Sequence, residues 1–307
     1  MRILVIGGSG FIGRALLAQL SALGGECTSI SRGPQSFPGI RCVSGDYADI
    51  TSLCSNEEFD CVIHLASTVT PALSGDDPQY DLMSNVLPTV NLLENLKEFG
   101  NPKLIFLSSG GTVYGERDNS DEKPISELAH TNPVVPYGVS KLAIEKYLAY
   151  FGRRNNASYL TLRVSNPFGP GQSPLGTQGL IPKLLMSAIR KEPVTIFGDG
   201  ETVRDYIYID DLIDAITTSL DYQGHQQVLN IGSGVGKSIK DVIADIEQVL
   251  DVKMALIHHA SRGFDVRYNV LDITKARSDL NWNPDTEFEA GLEKTLAWLL
   301  EEFPVGY

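Results

Sequence analysis

The order of segments in this chain predicts an α/β fold: a doubly wound, mostly parallel sheet with a smaller C-terminal α/β lobe. Three observations predict it. Short β-branched apolar runs alternate with amphipathic stretches as far as Val164. A glycine turn, Gly7-Gly8-Ser9-Gly10-Phe11-Ile12-Gly13, follows the first run directly. After Ser165 the texture changes to Pro/Gly-rich segments with shorter strands and helices. The 307 residues are enough for one large domain or two lobes. Residues 1–165 read as the first unit, rejoined by about 201–223, with 166–307 mainly a second lobe.

The first strand is the buried run from Arg2 to Ile6, too short for a signal peptide. Gly7, Gly10 and Gly13 recur every third residue between this strand and a helix, Arg14 to Leu23. Such glycines permit a tight turn, close approach to a pyrophosphate and helix-on-strand packing, so the turn predicts a Rossmann-type dinucleotide site. The second strand is Cys27 to Ser31. An acid near its end, about 20 residues past the glycines, would bind the ribose hydroxyls of NAD. Ser31-Arg32-Gly33 stands there instead, which leans towards NADP, a solvated loop Arg being an equal reading of Arg32. Ile40 to Val43 is the third strand, and Asp46 after it either accepts from an adenine amine or caps a turn. The fourth strand, from Cys61, ends in the small Ala66 and Ser67, which let a cofactor lie close; His64 in it reads as a core histidine.

A helical stretch from about Pro78 to Phe99 carries Asn85 and Asn91. Lys103 to Ser109 is the fifth strand, leading into Ser109-Gly110-Gly111-Thr112-Val113-Tyr114-Gly115 and a polar loop to Pro136. The next helix, to about Phe151, opens on Tyr137 and Lys141, four residues apart and therefore on one face. An ammonium beside a phenol lowers its pKa, so this pair can take a proton from an alcohol or return one to a ketone. Ser158 to Val164 is the sixth strand. Asn166-Pro167-Phe168-Gly169-Pro170-Gly171-Gln172 reads as irregular, Leu180 to Lys191 as a helix.

A net charge of −13 argues against a general nucleic-acid or acidic-membrane binder. No apolar run approaches the ~20 residues that span a bilayer. Cys27, Cys42, Cys54 and Cys61 show no metal-type spacing and read as free thiols in a reducing, cytoplasmic setting, with no metal expected.

The glycine turn, the Tyr137/Lys141 pair, Thr112-Val113-Tyr114-Gly115, Asn166-Pro167-Phe168-Gly169-Pro170, Phe197-Gly198-Asp199-Gly200 and Arg204-Asp205-Tyr206-Ile207-Tyr208-Ile209-Asp210-Asp211 together resemble the extended short-chain dehydrogenases/reductases of the NAD-dependent epimerase/dehydratase family. The general match is to its UDP-glucose 4-epimerase group. The resemblance implies that Gly10, Phe11, Ile12 and Gly13 cradle the pyrophosphate of NAD, or of NADP given Arg32. It implies that Asp46 and Tyr47 meet adenine, that Leu65, Ala66 and Ser67 line the cofactor, and that Asn85 lies near cofactor and substrate. Tyr137 is then the base and Lys141 its partner, which also binds the nicotinamide ribose. Asn166 touches a UDP-sugar, and Arg204, Arg262 and Asp265 hold its diphosphate and ribose. Asn269 falls where a bulky Tyr tends to exclude N-acetylated hexoses, so a hexose, an N-acetylhexosamine or a uronic acid remains open.

One departure stands out. The family hydroxyl that bonds the reacting oxygen falls at Gly110; Thr112 is the first candidate to replace it and Ser109 the second. The same block has no acid or base, which disfavours dehydratases and decarboxylases. The resemblance implies C4 epimerisation of a UDP-hexose, the alternative being an NADPH-dependent 4-ketoreductase and a third reading a non-catalytic NAD(P) sensor. It also implies a homodimer, packed through the faces of Leu82 to Leu96 and Leu142 to Tyr150.

Overall fold

The computed structural model describes residues 1–116, 122–225, 227–261 and 266–304. From the N-terminus the chain forms β1 (Arg2–Ile6), α1 (Phe11–Ala22), β2 (Glu26–Ser31), β3 (Ile40–Ser44), α2 (Ile50–Leu53) and β4 (Cys61–His64). Next come α3 (Pro78–Asp81), α4 (Leu87–Glu94), β5 (Lys103–Ser109), α5 (Pro136–Asn155) and β6 (Tyr159–Val164). The remainder holds β7 (Asn166–Phe168), α6 (Leu180–Arg190), β8 (Val194–Phe197), β9 (Val203–Tyr208), α7 (Ile209–Thr218), β10 (Val228–Ile231) and β11 (Gly236–Ser238). It closes with α8 (Ile239–Leu250), β12 (Leu256–His259), β13 (Tyr268–Asn269), α9 (Thr274–Leu280) and α10 (Phe288–Glu302).

Seven strands form one parallel sheet in the order β10-β6-β5-β4-β1-β2-β3. The expected doubly wound sheet is therefore present. Helices cover both faces of such a sheet, which is why its strands read as unbroken apolar runs. Successive residues of β1 serve opposite faces: Ile3 and Val5 pack with Leu16, Leu17 and Leu20 of α1, whereas Leu4 and Ile6 pack with Leu92 of α4 and Leu148 of α5. The strand order reverses between β1 and β4, and the crevice that opens at such a point is where ligands bind.

The second lobe is built round β9, which pairs with β11, β13 and β7, while β8 and β12 form a separate parallel pair. Here one expectation is corrected. Asn166–Phe168 is not irregular but a short strand, in register with Tyr206–Tyr208. Proline is tolerated at a strand edge, and Phe168 is anchored against the rings of Tyr208 and Phe288 at 5.7 and 5.2 Å. The stretch from Pro78 to Phe99 is also not one helix. A π-helical turn, Leu82–Val86, separates α3 from α4, and a 3-10 turn ends it at Leu96–Phe99. Pro88 lacks the N–H that would reach the Ser84 carbonyl; the Tyr47 hydroxyl donates there instead, at 3.1 Å.

Candidate active site

A cavity of about 900 Å³ runs along the carboxyl edge of the large sheet and under the second lobe. Its lining follows the sequence in blocks, each at the end of a strand: the glycine turn at β1, Ser31 and Arg32 at β2, Leu65 to Thr68 at β4, Ser108, Ser109, Gly111 and Thr112 at β5, and Ser165 and Asn166 at β6. Among the described residues its charged side chains are Arg32, Lys141 and Arg204, with no carboxylate. In a chain of net charge −13, that is a pocket shaped for an anionic ligand.

At one end Gly7 has φ +97, and a Cβ there would lie 2.8 Å from the Ala66 nitrogen. Only glycine lets β1 and β4 exit side by side. Gly10 N–H donates to the Gly7 carbonyl at 3.2 Å, and α1 starts with no side-chain cap and no acid in its first turn. Its first N–H groups are free to meet a phosphate. These residues fit a dinucleotide. Ser31 is partnered within the protein, accepting from Ser9 N at 3.3 Å and sharing a bond with the Ser9 hydroxyl. Arg32 is exposed on the rim.

Three residues expected to contact ligands are not among those lining the cavity. Asp46 accepts from Ala48 N at 3.0 Å as a turn cap. Asn85, in the π turn, accepts from Thr68 N at 2.9 Å and donates to the Asp81 carboxylate at 2.8 Å. Asn269 is buried and donates to the Gly110 carbonyl at 3.0 Å. Tyr47 does face the cavity, with its hydroxyl turned to the Ser84 and Asn85 carbonyls. His64 is a core residue as expected, bonded to Thr89 at 2.9 Å and pushed down to about 3 by burial, with Lys141 adding to the effect.

Mid-cavity, Tyr137 and Lys141 stand together at the start of α5, the Lys141 Nζ 5.6 Å from the Tyr137 ring centre and 4.8 Å from that of Phe106. The Nζ donates to the Leu107 carbonyl at 2.9 Å. The expected lowering of the Tyr137 pKa is not found. Burial pushes Tyr137 up to about 12, a hydrogen bond with Ser67 opposes this, and the Asp81 charge adds to it. Lys141 is pushed down to about 8 by burial, against the pull of Asp81 and Glu145. Desolvation is the largest cause for both groups, so Tyr137 is a phenol at neutral pH until positive charge is added beside it.

The missing family hydroxyl has a packing reason. A Cβ on Gly110 would lie 2.6 Å from Leu271 Cδ1 and 3.1 Å from the Arg163 carbonyl, and Gly110 is not on the cavity wall. Thr112 is on the wall, and its hydroxyl is buried with no partner. Ser109 also lines the cavity, whereas the Ser108 hydroxyl donates to Glu145 at 2.5 Å. The buried hydroxyl of Ser165 and the Oε1 of Gln172 are likewise unpartnered on the wall, and neither stands out in the sequence. Ser165 could have been found from its place directly after β6, on the same edge as the other blocks. Asn166 donates to the Asp205 carbonyl at 2.9 Å and Arg204 to the Val203 carbonyl at 2.9 Å, both from the lobe's side of the cavity. Arg262 and Asp265 lie outside the described residues.

Comparison with known proteins agrees with this geometry. The model of the NAD dependent epimerase/dehydratase family matches residues 3–232. The chain is 36% identical to an Escherichia coli dTDP-4-dehydro-6-deoxyglucose reductase, over 96% of each chain. The crystal structure of a Thermotoga maritima UDP-glucose 4-epimerase with UDP-glucose superposes with a TM-score of 0.91 at 32% identity, covering 98% of this chain and 99% of that one. A Thermus thermophilus UDP-glucose 4-epimerase in complex with NAD gives 0.88 at 28%, covering 99% and 100%. With the glycine cradle at the strand-order reversal, the Tyr137/Lys141 pair beside it and a match across most of its length, the chain belongs to the NAD dependent epimerase/dehydratase family.

Proposed function

We propose that this chain is a nucleotide-sugar epimerase that inverts C4 of a UDP-hexose. The observation that carries the reading is the cavity: a dinucleotide cradle and a cationic wall meet at Tyr137, Lys141 and an unpartnered Thr112 hydroxyl. When bound, NAD supplies the reversible hydride acceptor that turns an alcohol into a ketone and back. Tyr137 takes the proton of the C4 hydroxyl and later returns it. Lys141, held by the Leu107 carbonyl, stabilises the phenolate. Thr112 Oγ1 donates to the C4 oxygen, with Ser109 next in line on the same turn. Arg204 and Asn166, with Arg262 and Asp265, hold the UDP portion, so that the sugar can turn while its anchor stays fixed.

A second reading is favoured by two observations. The Escherichia coli relative is a reductase, and Ser31-Arg32 replaces the acid expected for NAD. On that reading the same Tyr137 and Lys141 serve a 4-ketoreductase that consumes NADPH. Mass spectrometry of the purified protein's cofactor, followed by a screen of UDP-sugars for C4 inversion, separates the two. Retained NAD with inversion supports the epimerase; NADPH oxidation on a 4-keto nucleotide sugar without inversion supports the reductase.

We read the assembly as a homodimer. Tyr80, Met83 and Leu87 on the α3–α4 stretch, and Val139, Tyr147 and Tyr150 on α5, are large apolar side chains left exposed on two helical segments that pack together. Four free cysteines, three of them buried, fit a reducing, cytoplasmic compartment. Among the described residues no helix is long and apolar enough to cross a membrane.

A further inference from the structure

One buried hydroxyl on the cavity wall has no task in the proposed chemistry. Ser165 stands directly after β6, is 7% exposed and lines the cavity, and its Oγ has no hydrogen-bond partner among the described residues. Its backbone N–H already donates to the Ile231 carbonyl at 2.8 Å. Buried hydroxyls are nearly always paired, so an orphan on the wall of a cavity points to a ligand group. The strand register fixes what Ser165 stands beside. β5 and β6 run in parallel with Ser109 opposite Val164, which brings Ser165 level with Gly110. A Cβ on Gly111 would lie 3.8 Å from both Ser109 Oγ and Asn166 Oδ1, so the turn after β5 and the exit from β6 face each other across the width of one side chain. The same turn packs on the start of α5: a Cβ on Gly138, next to Tyr137, would meet the Thr112 carbonyl at 2.8 Å. Tyr137, Thr112 and Ser165 therefore share one part of the wall.

We infer that the Ser165 hydroxyl binds a hexose hydroxyl flanking C4, and that it takes the C3 hydroxyl in one epimer and the C6 hydroxyl in the other. The inference rests on the proposed C4 inversion. Tyr137 and Thr112 serve the C4 oxygen, which leaves Ser165 for a neighbouring group. A serine hydroxyl both donates and accepts, so it suits a sugar hydroxyl in either sense. The dinucleotide cradle belongs to β1, β2 and β4, whereas Ser165 directly precedes Asn166, where the chain passes through β7 into the second lobe. That favours the sugar over the cofactor as its partner. The exchange follows from geometry. C1 is held by the anchored diphosphate, and C4 must stay beside Tyr137. Presenting the other face of C4 then takes a half-turn about the line from C1 to C4. That turn swaps the C3 side of the ring with the C5 side, which carries C6. A group fixed on one flank meets the C3 hydroxyl before the turn and the C6 hydroxyl after it. One serine thus serves both epimers without locking the sugar in either orientation.

The test is calorimetric binding in Tyr137→Phe, which leaves each epimer as it was added. The NAD-loaded protein, with and without Ser165→Ala, is titrated with UDP-glucose, UDP-galactose and the 3-deoxy and 6-deoxy forms of each. Ser165→Ala should weaken both parent sugars about tenfold, the worth of one hydrogen bond. For each epimer one deoxy form should be indifferent to Ser165→Ala, because its contact is already gone, while the other still weakens about tenfold. The indifferent form should be the 3-deoxy sugar in one epimer and the 6-deoxy sugar in the other. NAD affinity should not change, and the urea midpoint of the unliganded protein should not fall, because the hydroxyl removed had no partner. Unchanged sugar affinities overturn the inference, as does the same deoxy form being indifferent in both epimers. A loss of NAD affinity alone overturns it by giving the hydroxyl to the cofactor, and a lower urea midpoint does so by giving it a structural partner. The two levels fail separately. If the binding pattern holds but protein with Tyr137 intact does not invert C4, the proposed function fails and the contact stands. If C4 is inverted and Ser165→Ala changes no sugar affinity, the contact fails and the function stands. If neither UDP-hexose binds, both fall.

Discussion

Thr112→Val separates a functional side chain from a structural one by the sign of two effects. The Thr112 hydroxyl is buried and makes no hydrogen bond within the protein. A buried unpaired polar group costs about 1–3 kcal/mol. Valine keeps the branched shape and removes the hydroxyl, so the variant should be more stable by about 1 kcal/mol, the lower end of that range. In a chain of this size that is about 2 °C in Tm. Turnover should move the other way. A donor aimed at an oxygen on which charge develops is worth about 10²-fold in rate, or about 2.7 kcal/mol. The assay pairs urea unfolding, read as a change in midpoint at constant slope, with steady-state C4 inversion. The reasoning is refuted if Thr112→Val is destabilised, because the hydroxyl then has a structural partner. It is equally refuted if turnover stays near wild type while Ser109→Ala is crippling, which would give the donor role to Ser109.

Three further outcomes follow from the same structure. Gly110→Ala should lose about 1–3 kcal/mol by pushing a methyl into Leu271, while Gly111→Ala, whose nearest side-chain atoms stand 3.8 Å from the new carbon, should be tolerated; comparison of urea midpoints decides between them. Glu145→Gln should cost about 3–5 kcal/mol, because it leaves the Arg163 guanidinium buried without its counter-charge, and an unfolding midpoint near wild type would contradict the buried pair. His64 has a folded-state pKa near 3 against an ordinary 6.5, so the unfolded chain binds more protons between those values. Stability should therefore fall as pH drops through that window, and His64→Gln should flatten the fall in unfolding measurements from pH 7 to pH 4.

The parts legible in the sequence are those with local causes. Strand runs buried on both faces, the glycine spacing and the four-residue step from Tyr137 to Lys141 each carry their structure in adjacent residues. What escaped has causes distant in sequence. Asn166–Phe168 becomes a strand only because β9, some forty residues later, supplies the partner. The π turn at Leu82–Val86 answers to Tyr47, whose hydroxyl takes the carbonyl that Pro88 leaves open. Gly110 looks like a lost hydroxyl until Leu271 is seen in its place. The direction of the Tyr137 shift was hidden for the same reason: spacing reveals the neighbouring ammonium, whereas burial and the Asp81 charge belong to the folded chain.

The central claim is that one site oxidises and re-reduces the same carbon. Its most direct test is to give the purified protein, with no added cofactor, a UDP-hexose carrying deuterium at C4. The account predicts a C4-inverted UDP-hexose that keeps its deuterium at C4, with no net change in NAD(P)H absorbance. Inversion with deuterium lost to solvent, or turnover that occurs only with stoichiometric NADPH oxidation on a 4-keto sugar, would contradict it.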